Sequence, residues 1–394
     1  MQTEPRIKTT VVGSYPVPDW LAAAPSEQGL IDATRVVIAT QESAGVDVVC
    51  DGELYRFDLN HPETNGMIEY FVRPMSGIRH DMSFDEVMAY RAMPGMRFRT
   101  RPPGVVEGPV GSGTLDLPGA CQRASALATR TFKFTVTGPH MLAKTLLDRH
   151  YGTTADLAHA LADVLAEQVR YLDADVVQID EANLPGHPEE WEWAASAMNR
   201  VLDAVPSTPA VHLCFGNYGG QSVQKGSWQQ LMNYLNALHA DHVVLECAHR
   251  PPEELAVFKD LRPEIGLGLG VVDIKATEVE SADAVARAIE RAESLLGAGR
   301  VKYIHPDCGF WMLKRSIADA KIRALAKGRD LFEGRQSAAS GTLKASLSGR
   351  AAPACRCGRC RGRCRRRRIA PPSPDSGGRR PRPGRGCRAA CPPP

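Results

Sequence analysis

The sequence predicts a closed (β/α)8 barrel, the TIM-barrel architecture, carried by residues 1–334 as a single catalytic domain with one long insertion after the second strand. Three observations carry that expectation. Eight short apolar runs alternate with helix-compatible stretches, and strands alternating with helices imply a parallel sheet that eight members close into a ring. Polar residues gather at the carboxyl ends of these runs, where this architecture places its chemistry. The 394 residues hold a barrel of about 250 residues together with insertions.

The runs, in order, are Thr9 to Tyr15, Val46 to Cys50, Phe134 to Thr137, Val176 to Ile179, Ala210 to Phe215, His242 to Cys247, Ile265 to Val272 and Val301 to His305. Amphipathic spacing places helices over Leu30 to Ser43, Thr154 to Leu172, Glu189 to Val205, Ser227 to His239, Ala282 to Leu296 and Met312 to Leu331. Ser281 is a candidate cap for the fifth of these. The rhythm breaks between Gly52 and Arg130, an insertion over about residues 54–130 with two candidate hairpin strands, Met96 to Thr100 and Gly104 to Val110. A connection of that length serves as a cover or binding subdomain, and it is expected over the barrel mouth.

Charge divides the chain in two. Residues 335–394 hold 16 of the 48 Lys and Arg and one acid, Asp375, so residues 1–334 carry 32 basic and 44 acidic side chains, net −12. An acidic body argues against a nucleic-acid surface. Five cysteines (50, 121, 214, 247, 308) lie in the body and six in the tail. With no N-terminal apolar signal and no long apolar span, the expectation is a cytoplasmic protein without membrane contact, whose reduced thiols are available to metal. The tail is rich in Arg, Pro, Gly, Ala and Cys and nearly lacks large apolar residues, a composition expected to stay disordered.

The chemistry centres on Val211-His212-Leu213-Cys214-Phe215-Gly216. In a strand, His212 and Cys214 point to the same face, about 7 Å apart, and form a chelating pair. A lone His and a lone Cys are as often ordinary core residues; Glu246 and Cys308, at the ends of neighbouring runs, give the pair its meaning. One imidazole, two thiolates and a carboxylate suit zinc and complete a tetrahedron. Such a set leaves a dication at net −1, which disfavours hydroxide formation and favours holding a substrate thiolate that stays nucleophilic. Further polar residues end the other runs: Gly13-Ser14, Asp51-Gly52-Glu53, Asp180-Glu181, Asp273 with Lys275, and Asp307. Asp51, Asp273 and Asp307 are read as solvated loop charges.

Val12-Gly13-Ser14-Tyr15-Pro16, Asp51-Gly52-Glu53, Gln178-Ile179-Asp180-Glu181, His212-Leu213-Cys214, Leu245-Glu246-Cys247 and Pro306-Asp307-Cys308-Gly309 together resemble the catalytic barrel of cobalamin-independent methionine synthase and its single-barrel relatives, over roughly residues 8–332. The resemblance implies a Zn2+ cofactor held by His212, Cys214, Glu246 and Cys308. It implies methyl transfer to homocysteine from a methylfolate or a methylcobalamin or other corrinoid donor. Gly13, Ser14, Glu53 and Asp180 would hold the amino-acid part of homocysteine, the two carboxylates facing its ammonium group. The large enzymes of the family carry an extra N-terminal barrel and, after strand seven, a His thought to assist proton transfer; here Lys275 stands in that loop, the candidate for a catalytic role.

Relatives on the same barrel alkylate other thiols such as coenzyme M, and this is the alternative activity. A sulfonate thiol would need cations where Glu53 and Asp180 stand. A metal-dependent hydrolase would show His-x-His after strand one, where this chain has Gly-Ser, and an RNA-binding role for the tail would normally bring aromatic residues. Gly266-Leu267-Gly268-Leu269-Gly270 reads as close backbone packing and not as a phosphate loop. Cys50, Cys121 and Cys247 read as small buried hydrophobes, Trp191 and Trp193 as helix packing or a substrate face, and His140 as a solvated helix start ahead of a substrate contact.

Overall fold

The computed structural model describes residues 5–59, 66–93, 101–217 and 222–335. The expectations for Met96 to Thr100 and, apart from Arg335, for the tail lie outside the described residues. Eight parallel strands form the barrel: β1 (Lys8–Thr9), β2 (Val48–Cys50), β3 (Thr131–Thr137), β4 (Val176–Glu181), β5 (Thr208–Leu213), β6 (His242–Leu245), β7 (Gly266–Val272) and β8 (Val301–Pro306). From β2 to β8 each strand pairs with the next, β1 pairs with β8, and a parallel bridge between Thr10 and Val48 closes the ring.

Strand β1 is shorter than expected, for a physical reason. The Val11 carbonyl accepts from the Lys133 Nζ, and the Val12 carbonyl accepts from Gln178 Nε2 at 2.9 Å. Side chains from β3 and β4 thus take the acceptors that a ladder would need, and the chain leaves the sheet to cross the barrel mouth, where Tyr15 N donates to Gly52 O at 2.9 Å. The glycines of β7 do pack closely: a Cβ at Gly268 would lie 2.6 Å from the Val243 carbonyl, and one at Gly270 would lie 2.8 Å from the Leu245 carbonyl.

The helices start and stop where local chemistry directs. Helix Glu27–Ala44 begins under Ser26, whose hydroxyl accepts from Gly29 N at 3.0 Å, and ends at Gly45 with φ 93°. Ser281 caps Ala282–Leu296 as expected, accepting from Ala284 N at 3.1 Å. Between β6 and β7 a 3-10 helix, Pro252–Asp260, replaces an α-helix, consistent with the lack of amphipathic spacing there.

In the insertion, strand Val105–Gly111 pairs antiparallel with Ser76–Arg79 and parallel with Leu147–Asp148. Its antiparallel partner among the described residues is Ser76–Arg79. Helix Leu117–Ser125 packs against both Glu27–Ala44 and Thr154–Val169, in the place of the second barrel helix. Among the described residues, no helix is long and apolar enough to cross a membrane.

Candidate metal centre and active site

Register brings the candidate groups together. Thr137, Asp180, His212 and Val244 are neighbours across β3 to β6, so their side chains share the inward face at the carboxyl end. His212, Cys214 and Cys308 converge, their ligand atoms within 4.8 Å of one another. Nδ1 of His212 donates to the Val244 carbonyl at 2.8 Å, which fixes the tautomer and leaves Nε2 as a lone pair. That Nε2 is buried and accepts no hydrogen bond among the described residues. The Cys214 and Cys308 sulfurs sit 3.7 Å apart. Cys308 is held well below the usual thiol range by a hydrogen bond from Cys214 and by His212, while Cys214 is pushed up by the same contact and by burial.

Glu246 is engaged elsewhere. Its Oε1 accepts from Lys275 Nζ at 2.9 Å and its Oε2 from Phe215 N at 3.0 Å, with both members of the ion pair buried. The carboxylate is therefore one residue from Cys214 yet outside the His-Cys-Cys group.

Of the residues expected to hold the amino acid, all but Gly13 line one cavity of about 500 Å³, which is also lined by His212, Cys214 and Cys308. Its wall includes Ser14, Glu53 and Asp180, with Arg56, Phe57, Met67 and Ile68 from the insertion, so the insertion does border the mouth. Gly13 supplies clearance: a Cβ there would press into the Glu53 carboxylate, 2.9 Å from its Cδ. Gly309, next to Cys308, does the same for Ser14, with a Cβ 3.1 Å from the Ser14 Cβ. Glu53 is the one non-glycine residue with positive φ, 58°, among the described residues; Asp51 Oδ1 accepts its N–H at 2.8 Å and holds that turn.

Arg56 is a cation that sequence reasoning passed over. Its Nη1 lies 3.1 Å from Glu53 Oε2, both side chains are buried, and its Nη2 donates to Thr135 O and Oγ1 at 2.8 Å. Glu53 is thus already paired, and the repulsion between Glu53 and Asp180 does not rest on a ligand cation alone. The signal was available as an i, i+3 spacing. Burial, then the neighbouring Glu53 charge, pushes Asp180 up to about 7.

Three expectations are corrected. Asp51 and Asp307 are fully buried, not solvated: Asp307 accepts from Cys247 N, Ala248 N and His249 N at 2.7 to 2.8 Å and so ties the loop after Glu246 to that of Cys308. His140 is buried between Glu190 (2.8 Å) and Glu181 (3.3 Å) and stacks on Trp193 with ring centroids 5.0 Å apart. Asp273 is partly exposed and lies 3.1 Å from His249.

Residues 7–329 match the family model described as cobalamin-independent synthase, catalytic domain. The chain is 28% identical to the methionine synthase of Thermococcus kodakarensis over 83% of its own length and 94% of that protein's, and 28% identical to that of Sulfurisphaera tokodaii over 83% and 93%. Its fold is similar to that of a B12-independent methionine synthase from Shewanella sp. W3-18-1, solved in complex with selenomethionine (TM-score 0.69, 24% identity, 83% of this chain and 98% of that one). Given a family match that spans nearly all of the barrel, the chain belongs to the cobalamin-independent synthase catalytic-domain family.

Proposed function

We propose that this protein is a cytoplasmic zinc-dependent S-methyltransferase that moves a methyl group from a methylfolate to the thiol of homocysteine, forming methionine. One observation carries the reading: a buried His212 Nε2, without a hydrogen-bond partner among the described residues, beside two cysteine sulfurs and in the same cavity as Ser14, Glu53 and Asp180. The donor set fits zinc, since imidazole and thiolates are the ligands that metal favours. When bound, zinc would remove the thiol proton and keep the sulfur nucleophilic. Of the donors left open by the sequence, the cobalamin-independent family favours the folate.

The protein's own groups do the positioning. Asp180 and Glu53 accept the ammonium group of homocysteine, and Ser14 and the backbone beside Gly13 face its carboxylate. The amino acid is thereby anchored at one end while its sulfur reaches His212, Cys214 and Cys308, which converts a collision into an oriented displacement. The S–CH3 bond forms as the CH3–N bond breaks, the electron pair staying on the folate nitrogen, which takes a proton from solvent. Phe57, Met67, Ile68, Met141, Val223 and Trp311 give the rest of the cavity an apolar wall suited to the flat ring of the donor.

Lys275 has a role other than proton transfer in this reading. Paired with Glu246 at 2.9 Å, it cancels the carboxylate charge, so His212, two thiolates, the pair and a dication sum to zero and not to −1. Glu246 is then a ligand held in reserve behind the three that converge. Coenzyme M is disfavoured because Arg56, the cation among the described residues lining the cavity, is engaged by Glu53. The test is methionine formation by purified zinc-loaded protein from homocysteine and methyltetrahydrofolate. Product that disappears on chelation and returns with zinc supports the proposal; alkylation of coenzyme M with homocysteine ignored contradicts it.

A further inference from the structure

We infer that Lys133, buried inside the barrel beneath the cavity, is the positioning residue that sets up the amino-acid grip, acting through Gln178. This deepens the homocysteine reading and rests on it. Lys133 is 1% exposed and Gln178 is fully buried. The Lys133 ammonium donates to the Val11 carbonyl and to Gln178 Oε1, the latter at 2.6 Å. Gln178 Nε2 then donates to Asp180 Oδ1 at 2.7 Å and to the Val12 carbonyl at 2.9 Å.

The direction of this relay is forced. An ammonium group has donors and no acceptor, so the amide oxygen of Gln178 must face Lys133 and its NH2 must face Asp180. With Gln178 reversed, two donors would meet at Lys133 and two acceptors at Asp180, each left unsatisfied in a buried site. The consequence reaches both sides of the subsite. Oδ1 of Asp180 is held as an acceptor, and no described residue bonds its Oδ2, which is left for the substrate ammonium. The same two donors fix the carbonyls of Val11 and Val12, and hence the backbone entering Gly13-Ser14. Charge agrees with geometry: Arg56 pairs with Glu53, and Lys133 is the buried cation behind Asp180, its own pKa lowered by burial to about 8.

A lysine that merely plugs the barrel floor would affect all ligands and the fold alike. A lysine acting through Gln178 on Asp180 affects recognition of the amino group. The experiment compares binding of homocysteine and of 4-mercaptobutanoate, the same thiol without its amino group, to zinc-loaded wild type, Lys133→Met and Gln178→Glu, with zinc content and melting temperature measured alongside. Gln178→Glu keeps the shape and the contact to Lys133 but cannot donate to Asp180, so it carries the test if Lys133→Met does not fold. Wild type is expected to favour homocysteine. Each variant should weaken homocysteine by about tenfold or more, the scale of a lost hydrogen bond to a charged group. The 4-mercaptobutanoate affinity and the zinc content should stay within about twofold, and the double variant should be no worse than either single one, because both cut one chain. Preserved preference for homocysteine in Gln178→Glu, or equal loss of both thiols, overturns the relay and leaves the homocysteine reading standing. Absence of preference in the wild type overturns both.

Discussion

Gly13→Ala tests the geometry of the site with a single methyl group. Gly13 is not among the glycines with positive φ, so alanine suits its backbone and the effect comes from contact alone. The added Cβ would lie 2.9 Å from Glu53 Cδ and closer still to its Oε1. A free glutamate would swing away at little cost, but this one is held by Thr135 Oγ1 at 3.0 Å, by Arg56 at 3.1 Å and by a left-handed backbone. Displacing it forfeits the Thr135 bond and the contact to the substrate ammonium. Overpacking of this kind costs about 1 to 3 kcal/mol in stability, and loss of a charge-assisted hydrogen bond costs about 1.5 to 3 kcal/mol in binding, or about ten- to a hundredfold in homocysteine Kd. Calorimetric titration of homocysteine into zinc-loaded protein, with zinc content as control, reads this directly. Wild-type affinity in Gly13→Ala would show that Glu53 does not hold the substrate where its carboxylate now lies.

Cys308→Ser should lose zinc, since it leaves His212 and Cys214 with a Glu246 that Lys275 still engages; full occupancy by metal analysis would remove Cys308 from the site. Lys275→Met leaves the buried Glu246 carboxylate without its counter-ion and should destabilise the zinc-free protein by about 3 to 5 kcal/mol. Zinc should restore much of that loss as Glu246 turns to the metal, so equal destabilisation with and without zinc by denaturant titration counts against the reserve-ligand role. Burial alone would lower the His140 pKa, but Glu181 and Glu190 together outweigh it and raise it above the ordinary value. The stabilisation from protonated His140 is therefore complete below about pH 6.5 and fades as the pH rises through the raised pKa. The melting-temperature gap between wild type and His140→Gln should be widest in acid, and a pH-independent gap would refute this.

The barrel was legible because its signals are local. Apolar runs of strand length, amphipathic spacing and a serine cap at Ser281 each survive in one dimension. So does the metal pair, since a period of two puts His212 and Cys214 on one face of one strand. What the sequence hid depends on which neighbour a side chain finds. Lys133 stands between Phe132 and Phe134, where its charge interrupts the apolar run and hides the start of the strand, which lies at Thr131. Asp307 looks like a loop charge in the chain, yet three backbone amides surround it. Glu246 has the right position for a ligand, and its pairing with Lys275, 29 residues away, follows from the adjacency of β6 and β7 and not from any motif.

In the proposed reaction the thiol of homocysteine reaches the metal held by His212, Cys214 and Cys308. Zinc K-edge X-ray absorption on zinc-loaded protein, recorded before and after homocysteine is added, tests it most directly. The sulfur shell should rise from two, supplied by Cys214 and Cys308, to three. A sulfur count unchanged by saturating homocysteine would contradict it.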